Sequence, residues 1–467
     1  MSTQHVAGQV PQTTSDDRGR QPALVYSVAA VSALGGLLFG YDTGIISSAL
    51  LYLRADLHLT LHGQEMVVSI LLVGAVVGAL VSGRMSQRYG RRKVVMAAAV
   101  VFGLGALAAA AAQGTGSLAV ARFVLGLAVG AASNMVPVYI AEVAPARIRG
   151  RLMVLFQLMV AIGQLISYLC GWALAGSGGW RTMFALAAIP AVILLLGMLA
   201  LPESPRWLVE RGRIEQARAV LARLRRPGDD TDAEIAAIRD VSRAESSGTW
   251  RDLRRPWVRP ALVVALGIAA FSQLTGINAV VYYAPAFLTD AGFGSSVALL
   301  TGVGIGVMLV VAGVAGAVLV DKAGRRRTML WFLPASGLAM AILAAAFLFG
   351  GSTAQRWTVV LALFAYILAN GIGMQAVVWL IGPEILPLSV RGPATSLGTT
   401  TLWGFDLIIS ITALTMVRSV GLSGTFLVYA VMNVLCIVFV LRKVPETKGR
   451  TLEQIEQALR RPSSHNA

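Results

Sequence analysis

The chain has 467 residues, 56% of them hydrophobic and 13% charged, against roughly 25% charged residues in a soluble domain. That balance excludes a soluble enzyme or a free-standing soluble binding module and implies an all-α polytopic membrane protein. The formal charge of +16 does not imply nucleic acid, because the basic residues crowd into short loops on one side of the apolar runs.

In chain order, a polar tail over 1–22 leads into an apolar run too long for the core of a signal peptide, so no cleavable leader is expected. Runs of about 20 residues, enough to cross some 30 Å of hydrocarbon, lie near 24–53, 64–83, 94–112, 118–141, 152–175, 182–201, 260–289, 297–320, 328–350, 357–382, 394–417 and 422–441. Twelve spans place both termini on one side. Thirteen Lys and Arg stand in short loops on that side, from Arg84 to Arg391, against only Arg54, Arg181, Arg356 and Arg418 on the other. The positive-inside rule makes the first side, and both termini, cytoplasmic.

The first run contains FGYDTGII, residues 39–46, with Asp42 near its middle. An ionisable group there is a functional-site hypothesis by default; the alternative is a carboxylate at a helix end in contact with water. Cys170 and Cys436 lie in apolar runs, so neither a disulfide framework nor a metal site is expected. The histidines, His5, His58, His62 and His465, fall in tails or an outer loop. A proton relay through the membrane must therefore use carboxylates.

Comparison of the two halves reveals a duplication. AEVAPARIRG carries Glu142 and Arg149, and PEILPLSVRG carries Glu384 and Arg391, both in the form E-x2-P-x3-R-G. GRMSQRYGRRK (83–93) pairs with GAVLVDKAGRRRT (316–328), and LPESPRWL (201–208) with VPETKGRTL (444–452). The organisation is thus a tail (1–22), a six-helix bundle (23–201), an intracellular linker (202–259), a second bundle (260–441) and a tail (442–467). In the linker, ESPRWLVERGRIEQARAVLARL places apolar residues at helical spacing among charges, and GDDTD (228–232) breaks one short amphipathic helix from the next.

GYDTG, the RYGRR and KAGRR loops, the two E-x2-P-x3-RG motifs, PESPRWL, QLTGINAVVYYAP (273–285) and PETKG together resemble the sugar porter family of the major facilitator superfamily. The likeness covers roughly residues 24–455. It implies the major facilitator fold: two six-helix bundles of 12 transmembrane helices around a central cavity, with a small helical intracellular domain.

The resemblance also implies roles. Arg91 and Arg92 in one half, and Arg325 and Arg326 in the other, can reach Glu142 and Glu384 bidentately. With Arg149 and Arg391 they would form a salt-bridge latch tying the halves together when the cytoplasmic side is shut, biasing a two-state rocking equilibrium. The competing explanation is topology alone, since basic loops orient the chain whatever they bind. Gln87 stands where the first-half loop usually has an acidic residue or Asn, while the second half has Asp321. Arg122 resembles the buried arginine facing the first-span carboxylate, and Asp42 stands where pure equilibrators typically carry Asn. The pair therefore implies proton coupling.

A neutral array of hydroxyls needs uncharged donors and acceptors plus an aromatic face. Candidates are Gln157, Gln164, Gln273, Asn278 and Gln375, with Phe39, Trp379 and Trp403 as walls and Tyr282 and Tyr283 as the outer gate. For any single amide an interhelical hydrogen bond is the alternative, but the joint pattern is much harder to explain that way. Ser272, Gln375, Ala376 and Leu402 depart from the hexose-porter pattern, and the eighth span has no Asn. Asp406, three residues after Trp403, is a further intramembrane carboxylate: a second proton site, a ligand for a polyol or cationic cargo, or a group neutralised by a partner elsewhere.

The expectation is a secondary active transporter importing a monosaccharide or polyol by proton symport with alternating access. It would act as a monomer in the plasma membrane, on a bacterial reading the inner membrane. No cofactor, metal, catalytic residue or nucleic acid is expected, the proton being the coupling ion. A uniporter of the same cargo, a transporter-like nutrient sensor and an exporter of drugs or organic ions are the alternatives; the short tails argue against the sensor.

Overall fold

Apolar runs of this length fold as helices because hydrocarbon offers the backbone no partner but itself. The computed structural model describes residues 22–145, 147–177, 179–245, 250–348, 353–386 and 390–448. Both tails, apart from Pro22 and the stretch up to Lys448, therefore lie outside the described residues, among which there is no strand.

The first five crossings are single helices: α1 (Ala23–Asp56), α2 (Leu61–Tyr89), α3 (Arg91–Ala110), α4 (Thr115–Val143) and α5 (Arg149–Ala173). The sixth is a pair, α6 (Trp180–Leu186) and α7 (Ala188–Ala200). Three short helices follow, α8 (Pro205–Glu210), α9 (Ile214–Leu224) and α10 (Thr231–Glu245), separated where Gly212 and Gly228 take positive φ. They bury Trp207, Leu208, Val209, Ala217, Leu221 and Ile235 in a small core of their own.

The seventh crossing breaks between α11 (Arg259–Leu274) and α12 (Ile277–Asp290). α13 (Ser295–Ala323) and α14 (Arg325–Ala346) are continuous, and the tenth crossing runs from α15 (Thr353–Asn370) through one π-helical turn, Gly371–Gln375, into α16 (Ala376–Ile385). The last helix, α17 (Arg391–Lys443), has 53 residues. At 1.5 Å per residue that is roughly 80 Å, far beyond one crossing of about 30 Å. Gly421, with φ 74°, divides it.

The packing shows the reversal. Thr415, before Gly421, bonds Glu65 at the start of α2, Ser423 bonds the Ala344 carbonyl at the end of α14, and Leu441 returns to Arg326 at the start of α14. The eleventh and twelfth crossings are therefore the two arms of α17. Among the described residues eleven elements are long and apolar enough to cross a membrane, and with α17 divided they make two sets of six. Side chains such as Leu104, Val120, Leu196 and Leu338 are more than half exposed and form the lipid-facing surface.

Within each half the pairings repeat. α1 packs on α5 and α2 on α4; in the second half α12 packs on the first arm of α17, and α13 on α15. In the first half the packing is backbone to backbone: a Cβ at Gly126 or Gly130 would strike the Leu71 or Ala75 carbonyl, and one at Gly36 or Gly40 that of Phe156 or Val160. In the second half, glycines such as Gly267, Gly304 and Gly373 are instead filled by the side chains of Phe439, Phe364 and Phe332.

Candidate functional site

The seam between the halves is sealed at the end away from the Arg-rich turns. There α1 meets α12, α5 meets α13, and α2 meets α17. Glu65 accepts the Thr415 backbone N–H at 2.7 Å and its hydroxyl at 2.9 Å. The Tyr168 hydroxyl donates to the Val281 carbonyl at 2.9 Å, and Arg54 pairs with Asp290 at 3.1 Å. At the basic end, among the described residues, no hydrogen bond or ion pair joins the halves: Arg91 and Arg325 each pair within their own half. The joining contacts between the halves are those at the opposite face.

In the first half, Asp42 and Arg122 are each 1% exposed. One guanidinium nitrogen donates to both carboxylate oxygens, at 2.8 and 2.9 Å, and Nε donates to the Val67 carbonyl at 3.2 Å. The pair links α1, α4 and α2 and is formally neutral. Such an arrangement is costly to break from either side, since removing one partner strands a buried charge. Next along α1, Thr43 receives the Gln164 amide from α5 at 3.4 Å. Gln157, two turns earlier on α5, is half-buried and makes no side-chain hydrogen bond with another described residue.

In the second half the helix break organises the polar groups. Gly276 sits at φ 94°, the left-handed region that glycine enters without steric cost. The carbonyl of Thr275, freed by the break, accepts from the Tyr366 hydroxyl at 2.8 Å and the Asn433 amide at 3.3 Å. Across the break the Asn278 amide donates to Gln273 at 2.7 Å, and Gln273 in turn donates to Ser272 at 3.2 Å. Gln375, at the end of the π-helical turn, reaches the Ser272 carbonyl at 3.1 Å, a placement suited to a π-turn at a functional site.

Tyr282 and Tyr283 are buried on α12 and donate to the first arm of α17: Tyr282 to Asp406 at 3.1 Å, Tyr283 to the Ser410 carbonyl at 2.8 Å. Asp406 is 1% exposed. Among the described residues no Lys, Arg or His stands within ion-pair distance of it. Trp403 packs on Phe39 from the other half, with ring centroids 5.4 Å apart. Trp379, 36% exposed on α16, makes no ring contact with that pair. The structure thus joins Phe39 to Trp403 across the seam, Gln164 to Thr43, and Gln273, Asn278 and Gln375 to one another through Ser272, while among the described residues Gln157 and Trp379 make no hydrogen bond or ring contact with them.

The basic end differs from a latch between halves. Arg91 donates to Glu142 at 3.0 Å within the first half, and Arg325 to Glu384 at 2.6 Å within the second. Arg149 reaches only the Ala144 carbonyl, at 3.5 Å, and the side chain of Arg391 lies outside the described residues. Arg92 and Arg326 turn away from the carboxylates to the carbonyls of Leu199 and Leu441, at 2.6 and 3.0 Å. Among the described residues no ion pair bridges the halves here.

Two further carboxylates, read in the sequence only as parts of repeated motifs, do structural work here. Glu203 accepts the N–H groups of Arg91, Arg92 and Ser204 at 3.0, 3.1 and 2.9 Å. Glu446 accepts those of Arg325 and Arg326 at 2.9 and 3.2 Å. Each sits on the positive end of a helix, where free N–H groups attract an anion. A Cβ at Gly90 or Gly324 would collide with these carboxylates, and both glycines hold φ near 100°. Ser204 and Thr447 then donate to Glu142 and Glu384, so each half carries the same cluster of arginine, two glutamates and a hydroxyl. The signal in the sequence was a glutamate followed by Ser or Thr at equivalent places in the duplication.

The sequence profile of the family described as Sugar (and other) transporter matches residues 28–459. A "Putative metabolite transport protein YwtG" of Bacillus subtilis is 42% identical over 92% of this chain and 93% of its own length. A "D-xylose transporter" of Levilactobacillus brevis is 39% identical over 93% and 96%. Among solved structures, that of the proton:xylose symporter XylE bound to 6-bromo-6-deoxy-D-glucose aligns with a TM-score of 0.80 at 29% identity, covering 94% of this chain and 99% of that one.

Proposed function

The chain belongs to the sugar transporter family of the major facilitator superfamily, and we propose that it imports a monosaccharide or polyol together with a proton. The observation that carries the coupling is the buried Asp42–Arg122 pair at 2.8 Å. In the outer-closed state the charges are satisfied by each other, the Val67 carbonyl and the Phe184 ring 6.0 Å from the guanidinium. A proton delivered to Asp42 would discharge the carboxylate and free the guanidinium, changing what holds α1 to α4 next to Thr43 and Gln164. Proton occupancy and cargo occupancy then bias one rocking equilibrium, which is the requirement for symport.

The likeness to a D-xylose transporter and to a proton:xylose symporter supports a pentose or hexose cargo and proton coupling. The basic face is read as cytoplasmic, with both termini there, so the conformation is open to the cell interior. The protein would work as a monomer in a bacterial inner membrane, with no cofactor beyond the proton.

The test is uptake of labelled D-xylose, D-glucose and myo-inositol into proteoliposomes with and without an inward proton gradient, alongside Asp42→Asn. Symport requires gradient-driven accumulation in the wild type, and in the variant loss of accumulation with counterflow exchange retained. Equilibration without accumulation in the wild type would make the protein a uniporter. Unaltered accumulation by Asp42→Asn would remove that residue from the coupling mechanism.

A further inference from the structure

The outer end of the second half carries positive charge that the protein itself does not answer. Of the arginines on the face away from the Arg-rich turns, Arg54 pairs with Asp290 at 3.1 Å and Arg181 with Asp56 at 2.9 Å. Arg356, in the first turn of α15, and Arg418, near the end of the first arm of α17, are exposed, and among the described residues no carboxylate stands within ion-pair distance of either. The chain supplies none nearby in sequence, since residues 322–383 and 407–445 contain neither Asp nor Glu.

Arg356 lines a cavity of about 390 Å³ between the α12–α13 turn, the end of α14, the start of α15 and the divide in α17. Phe293, Phe347 and Leu422 give it apolar walls, and Gln355 and Ser423 join Arg356 on its polar side. The Arg356 guanidinium stands 5.9 Å from the centroid of the Phe293 ring. The floor is built rather than incidental: Phe347 stacks on Phe426 at 5.5 Å, and Phe426 meets Phe287 of α12 edge-on at 6.0 Å.

The field in this cavity favours an anion. Two helices, α15 and the second arm of α17, begin there and bring the positive ends of their dipoles to it. α12 and α14 end there, but the carbonyls of Leu288, Ala344 and Ala346 already accept from the Phe293 N–H, the Ser423 hydroxyl and the Gln355 amide, at 2.9, 2.7 and 2.8 Å. Trp357, beside Arg356, is 64% exposed, the interfacial placement in which tryptophan sits at the level of the lipid headgroups. Apolar walls under a single guanidinium suit a phosphate that carries a glycerol and acyl chains better than a bare ion, which needs polar partners on every side.

We propose that this cavity binds the phosphate headgroup of an anionic phospholipid from the outer leaflet, with Arg356 donating to the phosphate oxygens and Arg418 adding to the attraction. The bound lipid touches the end of α12, α15 and the second arm of α17 together. The assignment does not depend on which cargo the protein carries.

The experiment is photo-cross-linking in proteoliposomes with phosphatidylglycerol carrying a diazirine on its headgroup, the adducts being located by peptide mass spectrometry. Wild type is compared with Arg356→Gln, Arg356→Lys, Leu422→Trp and Arg181→Gln. In the wild type, adducts fall on residues 291–293 and 421–423, and unlabelled phosphatidylglycerol competes for them while phosphatidylcholine and inorganic phosphate do not. Arg356→Gln lowers their yield about fivefold or more, and Arg356→Lys restores part of it. Leu422→Trp, which fills the cavity and keeps the charge, lowers the yield as well, whereas Arg181→Gln leaves it unchanged.

Wild type without adducts on those segments overturns the assignment, and so does a yield that Arg356→Gln leaves unaltered. Equal competition by phosphatidylcholine would make the cavity a general acyl-chain groove, and competition by inorganic phosphate would make it a site for a soluble anion; either result refutes the lipid assignment. An equal loss in Arg181→Gln refutes it too, by reducing the effect to the charge of the whole face.

Discussion

Neutralising one member of the Asp42–Arg122 pair should cost far more than neutralising both. Asp42→Asn leaves a guanidinium that is 1% exposed with one neutral oxygen and the Val67 carbonyl; Arg122→Gln leaves a bare carboxylate. Stranding a buried charge in this way costs about 3–5 kcal/mol, whereas a pair removed together is often nearly neutral. The singles sum to about 6–10 kcal/mol, and a double variant close to wild type should therefore recover most of that sum. The assay is thermal unfolding in detergent, read by a thiol-reactive dye at the native cysteines, since Cys436 is fully buried and Cys170 half-buried. In a chain this large each kcal/mol moves the midpoint by about 1–2 °C. Each single variant should melt several degrees low, with the double variant close to wild type. Losses that add within about 0.5 kcal/mol would refute the view that the two groups act as one unit.

Three other outcomes follow from the same geometry. Thr415→Val removes the hydroxyl that Glu65 accepts across the seam and should weaken outer closure by about 1 kcal/mol; cysteines placed at Arg54 and Asp290 should then cross-link about fivefold more slowly, and an unchanged rate would argue against this contact as a closure element. Gly276→Ala puts a methyl group against the Tyr429 ring at a φ of 94°. It should slow counterflow about tenfold or more while leaving a folded, monodisperse protein, the strain being about 1–2 kcal/mol for the backbone alone. Glu203→Ala and Glu446→Ala should each cost about 1–3 kcal/mol in melting stability by freeing helix N–H groups, and the Gln variants, which keep an acceptor, should cost clearly less.

Much of the architecture was legible because hydrocarbon imposes one solution on each apolar run. The last two crossings were legible as separate runs near 394–417 and 422–441, and the chain turns between them at Gly421, whose φ is 74°. The Asp42–Arg122 contact was anticipated through resemblance rather than periodicity, because the two residues are 80 positions apart. The Glu65–Thr415 contact had no such guide: a glutamate at the start of α2 and a threonine 350 positions away carry no local pattern that joins them. At the basic face, the repeated motifs marked the right residues. Charge patterning could not separate Arg91, whose side chain meets Glu142, from Arg92, whose side chain turns to the end of α7. That choice is made by which side of the α3 first turn each residue occupies.

The unequal glycine packing of the two halves makes this protein a machine with a frame and a moving part. Where α2 lies on α4 and α1 on α5 with carbonyls pressed into glycines, there is no slack to take up, and a push on any one helix displaces the whole block. Where phenylalanine rings fill the gaps, and the chain is interrupted at Gly276 and again in the π-helical turn, bending has somewhere to go. Amide hydrogens of the first half should outlast those of the second in exchange. Substitution should be borne unevenly too, with small-to-large changes forbidden along the first-half seams and absorbed by ring rotation in the second.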